Sequence, residues 1–154
     1  MTDRTTLQDP PTTMRPWFFA ALCNLLVAAC IGVVLRSIYL VEIPFVHFKP
    51  LLHAHSHVAM LGWLFIALAL FLLRDETPSG PSRLSRRLLL VAQLAVVAML
   101  FSFPVQGYGS VSIPASSLHL LVSYALGWRI WIATRGWAVP GSRLLARVAV
   151  VMMA

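Results

Sequence analysis

The chain has 154 residues, the length of one domain, yet 59% of them are hydrophobic and only 11% are charged. An ordinary soluble domain has about 25% charged residues, so this composition excludes that class and indicates a membrane protein. The net charge of +7 does not indicate nucleic-acid binding, because the arginines lie at the ends of apolar stretches and not in one patch with interleaved aromatic residues. We therefore expect the lipid bilayer as a partner and no nucleic acid.

The hydropathy pattern divides the chain into a polar tail, residues 1–16, and a transmembrane helical domain, residues 17–154. Apolar stretches predict membrane-spanning helices over about 17–40, 51–73, 88–106 and 115–133. A fifth segment, about 142–154, is still apolar where the sequence ends and is too short to span. The predicted fold class is an all-α polytopic transmembrane helix bundle with four spans plus an incomplete fifth.

The positions of the basic residues predict the orientation of this bundle. Of the 12 lysines and arginines, all except Arg36 and Lys49 lie in the tail, in the stretch 74–87, or from Arg129 onward. The positive-inside rule then places the amino terminus in the cytoplasm of a bacterial-type inner (cytoplasmic) membrane. The second and fourth helices start at the outer face, so all five histidines are expected near that face.

Three alternating histidines, His53, His55 and His57, open the second predicted helix. Histidine inside a membrane span is costly unless it has a partner, so the triplet predicts ligation of heme iron or of a metal ion. In a helix, His53 and His57 share one face while His55 points almost oppositely. In an extended segment, all three lie on one side, which suits a single metal ion. Both geometries are open at this stage, and His47 is expected in an interfacial loop.

Two further residues are candidates for the same site. His119 is expected at about the same depth on the fourth helix, either as a second ligand or as a core histidine hydrogen-bonded to Ser116 or Ser123. Arg36, near the far end of the first helix, either extends its charge to the headgroups or meets an acidic group such as Glu42 or a heme propionate. The predicted ligand set is therefore His53, His55, His57 and His119, with Arg36 as an additional cofactor contact.

A short sequence repeat accompanies the histidines. Leu61-Gly62-Trp63 on the second helix recurs as Leu126-Gly127-Trp128 on the fourth. The repeat predicts that the hairpin of helices 1 and 2 and the hairpin of helices 3 and 4 are weakly related. Small residues such as Gly62 also allow close approach of neighbouring helices or of a bulky cofactor.

The histidine motif resembles sequences of known membrane families. Leu-Leu-His53-Ala-His55-Ser-His57 followed by Gly62-Trp63 resembles the second helix of the subunit I superfamily of heme-copper oxidases and nitric oxide reductases. It is also similar to the HxHExxxGF-like stretch of the related NnrS family, although Val58 stands where that family has an acidic residue. The resemblance implies a b-type heme bound by one of these histidines and a role in respiratory electron transfer.

The same resemblance implies that the chain corresponds to the amino-terminal part of a larger protein. Those families have many more helices, and the resemblance implies that a second heme ligand and the heme–copper centre lie on later helices or subunits. The parent families are oxidoreductases, but this sequence lacks a complete active site. Two alternatives stay open: a copper or zinc protein that uses the HxHxH cluster, and a structural or assembly subunit without a cofactor.

Overall fold

The computed structural model describes residues 13–153 apart from positions 42, 45, 75, 78 and 138. Helix accounts for 82% of the structure, and the described residues contain no β-strand, which confirms the all-α class. Most of the predicted polar tail, residues 1–12, lies outside the described residues. The described helices are α1 (Arg15–Ser37), α2 (Phe48–Leu73), α3 (Arg83–Gln106), α4 (Ser112–Ala133) and α5 (Pro140–Met153).

Helix α2 is interrupted by a π-helical segment, Val58–Leu64, immediately after the histidine triplet. At its end the backbone N–H of Phe65 donates to the carbonyl of Met60, five residues earlier. Such wide turns are rare and are often found at functional sites. Pro50 lies in the first turn of α2, as predicted, because its missing N–H would have no partner there in any case.

Helix α3 begins at Arg83, ahead of the predicted start at about 88. Ser82 acts as the amino-terminal cap, since its hydroxyl accepts a hydrogen bond of 3.2 Å from the backbone N–H of Ser85. The helix ends at Gln106, and Gly107 follows with φ of +61°, a left-handed conformation that favours glycine.

Helix α4 is reached through a tight turn organised by Ser112. Its hydroxyl donates to the carbonyl of Gly107 at 2.6 Å and accepts from the N–H of Gly109 at 2.8 Å. A short 3₁₀ turn, Thr134–Gly136, separates the end of α4 from α5. Helix α5 has 14 residues, which is about 21 Å of helix and shorter than a bilayer core.

Helix α2 is the centre of the bundle. It packs against α1, α3 and α4, while α4 also lies along α3 and α5 lies on α4. The core consists of two clusters of buried side chains. The cluster nearer the carboxyl end of α2 contains Ile66, Ala69, Leu70, Leu73, Leu89, Ala92 and Leu126. The cluster nearer the histidine triplet contains Ala54, Val58, Val96, Met99 and Phe103.

Two contacts define the end of the bundle that carries most of the arginines. The Thr13 hydroxyl donates to the carbonyl of Ser79 at 2.7 Å, and Arg129 forms an ion pair with Glu76. We call the part built by residues 13–15, 79–87 and 129–137 the basic end. The triplet lies at the opposite end of α2 from these contacts.

Three helices, α1, α2 and α3, are long and apolar enough to cross a membrane. Their outward surfaces are apolar, with Phe19 70%, Phe71 65% and Leu94 58% exposed, which is compatible with contact to lipid. Helix α4 is not among the three, because His119, Arg129 and several serines lower its hydropathy. The described residues therefore contain three candidate spans, and the fourth span stays a prediction.

Candidate functional site

The helical conformation of residues 48–57 separates the histidines of the triplet. His55 turns toward α1, and because a carbonyl oxygen only accepts, its Nδ1–H donates to the carbonyl of Ala28 at 2.9 Å. A side chain at Gly32 would meet the His55 ring at 3.2 Å, so this glycine makes room for the imidazole. Of the two geometries open from the sequence, the structure has the one in which the three imidazoles do not converge.

His53 and His57 lie on the other face of α2, against α3. The His57 ring packs edge-on against Phe103, with ring centroids 4.6 Å apart, and the His53 ring packs edge-on against Tyr108 at 4.9 Å. Phe103 and Tyr108 also contact each other at 5.2 Å. These aromatic contacts fix the orientation of both imidazoles, which lie in the second and third turns of α2.

His119 lies deeper along α2 than the sequence predicted. Its ring packs edge-on against Phe65 at 5.0 Å, although Phe65 follows the triplet by about two turns of helix. The sequence reasoning assumed that α2 and α4 enter at the same level, whereas the Gly107–Ser112 turn and the packing of α4 on α3 set the actual offset.

His119 is a buried polar side chain with an unsatisfied ring nitrogen. It is 2% exposed, and its Nε2 atom is buried without a hydrogen-bond partner among the described residues. The backbone of Leu61 lies beside the ring. His119 is buried, as the core-histidine alternative predicted, but no hydrogen bond joins it to Ser116 or Ser123 among the described residues. These two hydroxyls donate to the carbonyls of Ile113 and Leu120 in their own helix.

A cavity of about 340 Å³ brings His57 and His119 together between α2 and α4. It is lined by His57, Leu61, Phe65, Ser116, Ser117, His119, Leu120 and Ser123. Its volume is at the lower end of the range of small-molecule sites, and its walls combine apolar side chains with a few polar atoms. We call this space the histidine cavity.

The remaining predicted residues lie away from the histidine cavity. Arg36 is exposed in the last turn of α1, and its predicted partner Glu42 lies outside the described residues. His47 is exposed immediately before α2, which agrees with an interfacial position. Within the described ranges, no group of three or more His, Cys, Asp or Glu side chains converges as a metal site.

Sequence reasoning missed a second polar group in the bundle. Asn24 of α1 donates through Nδ2 to the carbonyl of Gly62 at 2.9 Å and to Gln93 of α3 at 2.8 Å, and Gln93 donates back to Asn24 at 3.1 Å. This reciprocal pair joins α1, the π segment and α3. The sequence contains a signal for this pair, because an amide side chain in the middle of each of two apolar helices indicates interhelical hydrogen bonding.

Comparison with protein-family models, with curated proteins and with solved structures finds no match to this chain. Its function must therefore be argued from the geometry of the histidine cavity.

Proposed function

We propose that this protein binds a b-type heme in the membrane through His57 and His119 and takes part in respiratory electron transfer. The observation that carries the proposal is the buried, unpartnered Nε2 of His119 in a cavity shared with His57. A buried imidazole nitrogen without a hydrogen bond is costly, and ligation to iron would satisfy it.

Heme is favoured over a copper or zinc ion by the number of available ligands. Heme iron needs only one or two axial side chains from the protein, whereas zinc sites use three or four. The described residues offer a pair of imidazoles in one cavity, and His55 is already bonded to Ala28. A site that uses the whole HxHxH cluster would require the first turns of α2 to unwind.

The other residues of the cavity have supporting roles. Leu61, Phe65 and Leu120 provide the apolar walls that exclude water from a bound macrocycle. Bound heme would supply one-electron chemistry at its iron, and its surroundings would set the potential. The contact of Arg36 with a propionate stays a prediction, because this residue is exposed at the end of α1 and does not line the cavity.

The orientation and the larger assembly are part of the same proposal. With the basic end in the cytoplasm, the amino terminus is cytoplasmic and the triplet lies near the outer face of an inner membrane. Helix α4 serves as the fourth span, since Glu76 pairs with Arg129 at the basic end. Further helices or subunits, as in the oxidase families that the motif resembles, would supply the electron donor and acceptor.

The test is a reduced-minus-oxidised visible spectrum with a pyridine hemochrome assay on detergent-purified protein, alongside elemental analysis. We expect a b-type spectrum that His119→Ala abolishes and His57→Ala abolishes or shifts. His47→Ala is the matched control, because this exposed imidazole lies outside the cavity and its loss should leave the spectrum unchanged.

Two results would contradict the proposal. Absence of heme with about one copper or zinc per chain would indicate a non-heme site. Absence of both, in protein that elutes as a folded species, would indicate a structural or assembly subunit.

A further inference from the structure

A second cavity, about 490 Å³ in volume, lies at the basic end between the start of α1 and the start of α3. Arginines line one side of it, and Trp17 and Leu90 line the apolar side. We propose that this cavity, distinct from the histidine cavity, binds the headgroup phosphate of an anionic phospholipid.

The arginines of this cavity follow from the sequence of α3. Arg83, Arg86, Arg87 and Leu90 recur at the spacing of one helical face, so the three arginine side chains and one apolar side chain line the same space. The first turn of α3 contains no acidic residue. Guanidinium groups bind phosphate oxygens through paired hydrogen bonds, so the chemistry of the site is that of a phosphate receptor.

Among the described residues, Glu76 is the carboxylate nearest in sequence to the arginines of this cavity, and it already has other partners. Glu76 pairs with Arg129 and accepts a hydrogen bond of 2.9 Å from the N–H of Ser82. Within the described ranges, the ion pair of the basic end therefore involves α4 and not the three arginines of α3.

The apolar side of the cavity identifies a lipid as the source of the phosphate. Trp17 is half-buried at the start of the first candidate span, the position where tryptophan marks the headgroup level of a membrane. Leu90, Leu94 and Val97 continue from the cavity along one face of α3 and are 50%, 58% and 37% exposed. This apolar strip can hold an acyl chain while the arginines hold the phosphate, as in basic pockets between transmembrane helices.

The experiment is a titration of the full chain in mild detergent with phosphatidylglycerol and with phosphatidylcholine of the same acyl chains, followed by native mass spectrometry. We expect preferential binding of phosphatidylglycerol. Arg86→Gln/Arg87→Gln should weaken it about 30-fold, from the effect of two basic residues at a membrane surface. Arg86→Lys/Arg87→Lys keeps both charges but loses the paired hydrogen bonds, so its affinity for phosphatidylglycerol should lie between those of the wild type and of the glutamine pair. Binding above that of the glutamine pair excludes loss of folding as the cause of the larger loss.

The matched control is Arg74→Gln/Arg135→Gln, which removes the same charge from exposed positions outside the cavity. This pair should leave the preference for phosphatidylglycerol intact. Equal binding of the two lipids by the wild type, or equal losses in both glutamine pairs, would overturn the proposal. Displacement of phosphatidylglycerol by millimolar inorganic phosphate would also overturn it and assign the cavity to a free anion.

Discussion

Among the described residues, two of the polar groups buried between helices differ in how their hydrogen bonds are satisfied. Asn24 and Gln93 bond each other in both directions, and Asn24 also bonds the carbonyl of Gly62. His119 is also buried, yet its Nε2 has no partner among the described residues, and its side chain lines the histidine cavity. The amides of Asn24 and Gln93 are therefore satisfied within the protein, which we call a closed network. The Nε2 atom of His119 has no such bond, and we propose that a ligand supplies it.

This difference distinguishes a buried polar side chain that stabilises the fold from one that is a candidate ligand. A closed network stabilises helix association, because each buried amide finds its partner inside the protein. An open imidazole contributes no such bond and has a cost that only a bound group can offset. Removing each group should therefore affect the heme-free protein very differently.

The largest effect is expected for Asn24→Leu. This substitution leaves the amide of Gln93 and the carbonyl of Gly62 with one fewer partner each between α1, α2 and α3. We expect a loss of about 2 kcal/mol in the free energy of unfolding. The measurement is unfolding of the heme-free protein in detergent micelles by titration with sodium dodecyl sulfate.

A double-mutant cycle tests whether the amides act as a pair. Asn24→Leu/Gln93→Leu removes both partners, so it should cost less than the sum of the two single substitutions. If the losses in the free energy of unfolding are additive, the two amides are not energetically coupled and do not form a closed network.

The next effect concerns the two copies of Leu-Gly-Trp, which the structure uses differently. Gly62 is in the π segment, where an added Cβ would meet Val96 at 2.9 Å and Asn24 at 3.0 Å. Gly127 is in regular α-helix, and its Cβ would meet only Val150 of α5, at 3.2 Å. We expect Gly62→Ala to cost about 1–2 kcal/mol by overpacking.

Gly127→Ala is the matched control for that substitution. Its closest neighbour is the end of one side chain, and alanine is the better helix former, so the change should stay within about 0.5 kcal/mol of wild type. Equal losses in the free energy of unfolding for the two substitutions, in the same titration, would contradict the close packing of Gly62 against α1 and α3.

The organisation of the helices could be predicted from the sequence, but the interior geometry could not. Apolar stretches, Pro50 and the arginine pattern predicted the order and approximate ends of the helices. The predicted start of α3 was late, because Arg83, Arg86 and Arg87 were assigned to a loop although the Ser82 cap places them inside the helix.

The π segment had no sequence signal, and this also limited the prediction of the site. Residues 58–64 are apolar throughout, so no alternation of polar and apolar positions distinguishes a wide turn from an α-turn. The depth of His119 depends on how α4 is offset against α2, which a single helix does not encode. The histidines themselves were evident, because ionisable residues in apolar segments stand out.

A third polar group, Glu76 with Arg129, is closed like the Asn24 pair but lies at the basic end. Burial alone would raise the pKa of Glu76, but the Ser82 N–H and the guanidinium of Arg129 outweigh it and hold this pKa below its ordinary value of 4.5. Folding therefore favours the ionised carboxylate. Its stabilisation is complete above the ordinary pKa and is lost as the pH falls through the lower pKa of the folded protein.

The corresponding measurement is the melting temperature in detergent between pH 7 and pH 3. The wild type should lose stability in the acid part of this range, and Glu76→Gln should start lower at pH 7 and show a flatter profile. Parallel profiles for the two proteins would mean that other carboxyl groups cause the acid dependence.

Among the substitutions of buried polar side chains, the smallest effect on the heme-free protein is expected for His119→Leu, in contrast to Asn24→Leu. Since Nε2 has no hydrogen bond to lose, leucine removes a desolvated polar atom and keeps the apolar contact with Phe65, so stability should change by less than about 1 kcal/mol. Heme should then stabilise the wild type by mass action and leave His119→Leu unaffected. If the heme-free His119→Leu variant loses as much free energy of unfolding as Asn24→Leu, then His119 stabilises the fold without heme. That result would contradict the proposal that its imidazole serves as a heme ligand.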